Sequence, residues 1–245
     1  MFVIHGGPGF DHRYLISGLS SLAEKRTLIF YDQPKANQVT ANNRLSPLDI
    51  FSHFRWLSKE VAQEEAIGVA AHSWGSLVLI GALLDKRLHG IPCARFYEGI
   101  LINPVPICWE KYAQCSKELL SRMSWIDRAK LSWLGSFESD GAKAMKLLLP
   151  HYVVKQNSLP SSSFPLDKKT YLSISKQLKG FDYRSTLSLL PPLSAIIGSE
   201  DFIISNLIDD LTPHLENKKV MAGVSHFPFW EEEENFTNII HSLLK

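Results

Sequence analysis

Short apolar runs of strand character alternate along the chain with stretches whose hydrophobic residues recur at helical spacing. This alternation predicts an α/β architecture, a mostly parallel sheet with helices on both faces. Phe2 to Ile4, Thr27 to Tyr31 (TLIFY), Ala66 to Ala71 and Gly99 to Ile102 read as strands. Between them, Arg13 to Ala23 and Pro47 to Val61 read as amphipathic helices, the second carrying Ile50, Phe51, Phe54 and Leu57 at helical intervals.

The pattern changes after Asn103-Pro104. From Trp109 to about Leu189 the helical period dominates, with Trp109, Tyr112, Trp125, Trp133, Phe137 and Tyr152 spread along it and a Ser/Pro-rich loop at Ser158 to Pro165. Strand character returns at Leu193 to Ile197 and Lys219 to Met221, and an amphipathic helix, Phe236 to Leu244, closes the chain. The expected organisation is one core from residues 1–104 and 190–245, with residues 105–189 inserted as a helical cap. The acidic run Glu231 to Glu234 is expected to form the solvated first turn of the last helix, where negative charge suits the helix dipole.

Composition narrows the function classes. A chain of 245 residues with 45% hydrophobic and 21% charged residues is that of an ordinary globular protein. Twenty-six Lys and Arg against 25 Asp and Glu leave a formal charge of +1, so no global field draws in nucleic acid or an anionic membrane. Cys93, Cys108 and Cys115 form no CxxC pair and no zinc spacing, which fits a reducing compartment and calls for no metal. The residues after Met1 lack a basic segment followed by an apolar one, and the most apolar window, Gly68 to Leu84, is too short for a bilayer. A cytoplasmic location is expected.

Chemistry concentrates at four places. AIGVAA-HSWG-SLVLIGALL, residues 66 to 84, spells strand, sharp turn and helix with Ser73 at the turn. Such a turn exposes a serine hydroxyl above the C-terminal edge of the sheet and needs small residues two before and two after it. Gly75 satisfies this; Ala71 stands where glycine is usual and adds one methyl. A serine becomes a nucleophile when a base takes its proton and an acid orients that base. PPLSAIIGSEDFI places Asp201 just beyond a strand, with Glu200 as the rival acid, and VMAGVSHFPFWEE places His226 in the loop after the next. HGGPG, His5 to Gly9, follows the first strand; its backbone is suited to binding an oxyanion, with Gly7 as the expected donor, Gly6 as the alternative and Trp74, opening the helix, as the second donor.

These elements, HGGPG with Tyr14-Leu15 beyond it, Tyr31-Asp32-Gln33, HSWGS, GSED and SHFPFWE, resemble the α/β-hydrolase fold and, within it, the proline iminopeptidase family. The resemblance runs through nearly the whole core and fails in the cap. It implies Ser73 as nucleophile, Asp201 as acid, His226 as base and the Gly7 and Trp74 amides as oxyanion donors, with no cofactor. Family members hold a peptide's amine with acidic side chains; here Phe202 follows Asp201, and the resemblance assigns none of Glu110, Glu118, Glu138 and Asp140 to a family position.

The expected activity is therefore that of a serine hydrolase acting on a small ester, lactone or amide. Aminopeptidase action, acyl transfer or cyclisation, and low-turnover ligand binding are the alternatives, and a small molecule or short peptide is the expected partner. Two family strands normally precede HGGPG, whereas four residues do so here. Their absence is expected to leave Thr27 to Tyr31 as an unpaired apolar edge, so that either the natural chain begins upstream or the edge is covered by self-association.

Overall fold

The computed structural model describes residues 1–33, 67–84, 96–135, 141–159, 166–203 and 205–244. Six strands form one sheet: β1 (Phe2–Ile4), β2 (Ile29–Phe30), β3 (Ile67–His72), β4 (Phe96–Ile102), β5 (Leu193–Gly198) and β6 (Leu215–Met221). Their order is β2-β1-β3-β4-β5-β6 and every pairing is parallel. The described helices are α1 (Arg13–Leu19), α2 (Trp74–Leu84), α3 (Trp109–Ser121), α4 (Trp125–Gly135), α5 (Gly141–Leu148), α6 (Lys168–Gln177), the single turn α7 (Pro228–Glu231) and α8 (Glu233–Leu243).

Strand side chains alternate between two apolar layers, as pleating requires. Ile4, Val69, Leu101, Ala195 and Ile197 pack with Leu77 and Val78 of α2. Val3, Ile100, Ile102 and Ile196 pack with Leu15 and Leu19 of α1 and Phe236 and Ile240 of α8. Both faces are covered, which is why the central strands read as continuous apolar runs. Helices α3 to α6 all lie between β4 and β5 in the chain.

Several boundaries differ from the sequence reading. The TLIFY strand is reduced to Ile29–Phe30, because β1 offers only Phe2 and Val3 as register partners. The last strand begins at Leu215 rather than Lys219; its middle residues are solvent-exposed, so backbone pairing with β5 defines it and apolar pattern does not. Residues 13 to 23 split into α1 and a 3₁₀ turn, Ser20–Glu24. The helix over Pro47 to Val61 lies outside the described residues.

The acidic run is corrected at its first member. Glu231 ends α7 and is 6% exposed. One carboxylate oxygen accepts from the Ser225 amide at 2.6 Å, and the other from the amides of Val154 at 2.5 Å and Lys155 at 3.0 Å. Only Glu233 and Glu234 occupy the first turn of α8. Among the described residues, no helix is long and apolar enough to cross a membrane.

Candidate active site

Ser73, His226 and Asp201 meet beyond the C-terminal strand ends. Ser73 follows β3 directly and has φ of +52°, in the left-handed region that a residue with a side chain adopts at a cost. Two backbone bonds hold it there: its amide donates to Ile102 O at 2.9 Å, and its carbonyl accepts from the Ser76 amide at 2.9 Å. Gly75 allows the start of α2 to press onto β1; a Cβ there would lie 2.5 Å from the carbonyl oxygen of Ile4. Ala71, by contrast, lies inside β3 in register with Ile4 and Leu101 and is fully buried. Its backbone is not in the left-handed region, so glycine is not required at that position.

The Ser73 hydroxyl lies 2.8 Å from His226 Nε2. On the other side of the ring, Nδ1 is 2.9 Å from one Asp201 oxygen and 3.1 Å from the other. A carboxylate only accepts, so Nδ1 carries the proton and Nε2 is left to accept from the serine. His226 is 2% exposed and Asp201 1%. Phe202 and Tyr152 flank the imidazole, with ring centroids 4.7 and 5.2 Å away. Asp201 also accepts from the Ile203 amide at 3.1 Å, and Arg122, capping α3, donates to the carbonyls of Glu200 and Asp201. Glu200 accepts instead from the Ser199 hydroxyl and is exposed, so it does not reach the imidazole.

Gly7 and Trp74 both line the cavity above Ser73. Gly7 has φ of +53°, a conformation that glycine tolerates without strain. Neither its amide nor that of Trp74 has an acceptor among the described residues. The Gly6 amide, the alternative donor, is engaged by the Tyr14 hydroxyl at 2.5 Å. The arrangement can present two donors to a carbonyl oxygen beside a serine hydroxyl hydrogen-bonded to a histidine. Among the described residues, no cluster of three His, Cys, Asp or Glu could hold a metal ion.

No protein-family model matches the sequence. Across its whole length, however, the chain is similar to curated sequences. It is 19% identical, over an alignment of 270 positions, to a proline iminopeptidase of Thermoplasma volcanium, covering 98% of this chain and 86% of that protein. It is 21% identical, over 275 positions, to a proline iminopeptidase of Saccharolobus solfataricus, covering 100% of this chain and 84% of that one. Among solved structures, an α/β fold family hydrolase from Bacillus anthracis superposes with a TM-score of 0.72 at 14% identity, covering 99% of this chain and 91% of that one. This chain has the α/β-hydrolase fold and is related to the proline iminopeptidases.

Within that α/β-hydrolase fold, five residues to which the sequence reading gave no part in the site hold it together. Tyr14 accepts from Gly6 and donates to His72 Nδ1 at 2.7 Å; His72 Nε2 then donates to the carbonyl of His226 at 2.9 Å. Burial, reinforced by the nearby His226, keeps His72 well below the ordinary histidine value, so its ring is neutral and can serve in both bonds. Gln33, last of the YDQ stretch, donates to the His5 carbonyl at 2.7 Å and accepts from the Trp74 indole at 2.8 Å, tying the HGGPG loop to the start of α2. Asn103 accepts from the Gly198 amide at 2.7 Å and donates to Ser225 O at 2.9 Å, clamping the loops that carry Asp201 and His226. Glu231 fixes the second of these loops to the segment at Val154. Tyr14, Gln33, His72 and Glu231 belong to stretches quoted for their resemblance; Asn103 carries no local signal of its task.

Proposed function

We propose that this α/β-hydrolase cleaves a small carbonyl substrate, an ester, lactone or amide, through a covalent acyl-serine. The observation that carries the reading is the unbroken line from the Ser73 hydroxyl through His226 to Asp201, with Ser73 held at positive φ. Ser73 Oγ bonds to the carbonyl carbon while its proton passes to His226 Nε2. Asp201 orients the ring and stabilises its charged form. The Gly7 and Trp74 amides receive the oxyanion, a contribution of about 3 kcal/mol per donor in comparable sites. As the tetrahedral species collapses, His226 gives its proton to the leaving oxygen or nitrogen. Water, deprotonated by the same nitrogen, then releases the acid and restores the Ser73 hydroxyl.

A fluorophosphonate probe tests this directly. The wild-type protein is expected to be labelled at Ser73, and Ser73→Ala, folded by circular dichroism, is not. Equal labelling of the two proteins, or none of folded wild type, rules the reading out.

A further inference from the structure

Beyond Ser73 and His226 opens a cavity of about 320 Å³ roofed by residues of α3 to α6. Its walls are apolar: Leu119, Leu134, Met145 and Leu148 come from the helices, and Phe202 and Ile203 from the segment just after Asp201. Among the described lining residues no Asp or Glu occurs, and the single lysine or arginine is Lys168, whose ammonium donates to Leu134 O at 3.2 Å. The described acidic groups adjacent in sequence to lining residues are engaged elsewhere, Asp11 with Arg13 at 2.6 Å. Asp167 caps α6 by accepting from the Thr170 amide, and Glu118 faces Arg122 at 3.9 Å on the helix surface. Asp201 is taken by His226 and Ile203. Tyr112 and Tyr152 bring hydroxyls to the wall, but burial raises both above the ordinary phenol value, so they contribute polarity without charge.

We infer that the acyl group accepted by Ser73 is uncharged and apolar, a medium-length aliphatic or alicyclic acyl delivered from its carboxylic ester, and not an aminoacyl group bearing a free ammonium. This rests on the reading of Ser73 as the nucleophile. A substrate ammonium beside the scissile carbonyl would lose its water, would find no carboxylate among the described lining residues, and would face the imidazolium that forms during attack. A methylene placed in the same space is removed from water among leucine and phenylalanine side chains, which favours the transition state roughly fourfold per group until the cavity is filled.

The test pairs two substrates of one shape and one leaving group, the methyl esters of proline and of cyclopentanecarboxylic acid, which differ by a ring ammonium in place of a methylene. Alongside them run p-nitrophenyl acetate, butyrate and hexanoate, with fluorophosphonate labelling of the same preparation. The inference expects the cyclopentane ester to be preferred by at least about 100-fold in kcat/KM, and the p-nitrophenyl series to rise steadily with chain length. A preference for the prolyl ester, or a flat chain-length series, with labelling intact overturns the inference and leaves Ser73 as nucleophile. Loss of labelling together with all turnover overturns both.

Discussion

The Tyr14 hydroxyl lies 2.7 Å from His72 Nδ1 and 2.5 Å from the Gly6 amide nitrogen, joining the HGGPG loop to the strand that delivers Ser73. Both partners are buried, so no water replaces the phenol when it is removed. Tyr14→Phe is expected to lower stability by about 2 kcal/mol, since it leaves a buried donor and a buried acceptor unpaired. Ester kcat should fall about tenfold as the Gly6-Gly7 backbone loses its tether. The urea midpoint and steady-state kinetics check the two effects separately; an unchanged midpoint would show that the contact carries no stability.

Two buried imidazoles predict a dependence of stability on acid. Burial lowers His5 to about 4, with the Gly6 carbonyl opposing, and holds His72 well below its ordinary 6.5. Both are neutral in the folded protein, whereas in the unfolded chain they take up protons as pH falls through 6.5. The unfolded state therefore binds more protons below that pH, and stability is full above it and lost beneath it. The slope approaches about 1.4 kcal/mol per pH unit for each ring. Denaturant unfolding from pH 7 to pH 5 should show the midpoint falling, and His72→Gln should flatten the slope below pH 6.5. A wild-type midpoint independent of pH over that interval contradicts the assignment.

Strain at Ser73 can be read from two variants that lack its hydroxyl. Alanine at position 73 keeps the cost of φ +52°, whereas glycine removes it and adds backbone freedom to the unfolded chain. The net expectation is that Ser73→Gly is more stable than Ser73→Ala by about 1 kcal/mol. Thermal unfolding of the pair decides it, and an alanine variant as stable as the glycine variant would show the turn to be relaxed.

Glu231 accepts three backbone N–H bonds on its two oxygens. Glu231→Gln turns one acceptor into a donor facing a donor, so destabilisation of about 3 kcal/mol is expected. The Ser225-His226 loop should shift with it, and kcat should fall more than KM changes. Urea unfolding with ester kinetics measures both; wild-type values in each would return Glu231 to the role of a surface charge.

What the sequence determined by itself was whatever local pattern encodes. The apolar runs mark the strands, and the Ala66 to Leu84 stretch marks strand, turn and helix, because pleating and the tight turn constrain adjacent residues. Parallel topology then implies that the ends of those strands lie together, which is why Ser73, Asp201 and His226 could be named as neighbours without coordinates. The first half of β6 escaped because its side chains face solvent, and pairing with β5 leaves no apolar pattern there. Tertiary structure alone decided which groups hold the site. Tyr14 and His72 are 58 residues apart in the chain, and His72 and the His226 carbonyl 154. Their bonds depend on angles and distances set by packing of the whole sheet. The same holds for Glu231, whose neighbours in sequence made it look like a solvated helix start, while the amides it accepts from arrive from Ser225 and from Val154 and Lys155. The absence of acidic side chains among the described lining residues also became visible only once helices α3 to α6 were placed over Ser73, because a charge count along the chain cannot say which carboxylates face a cavity.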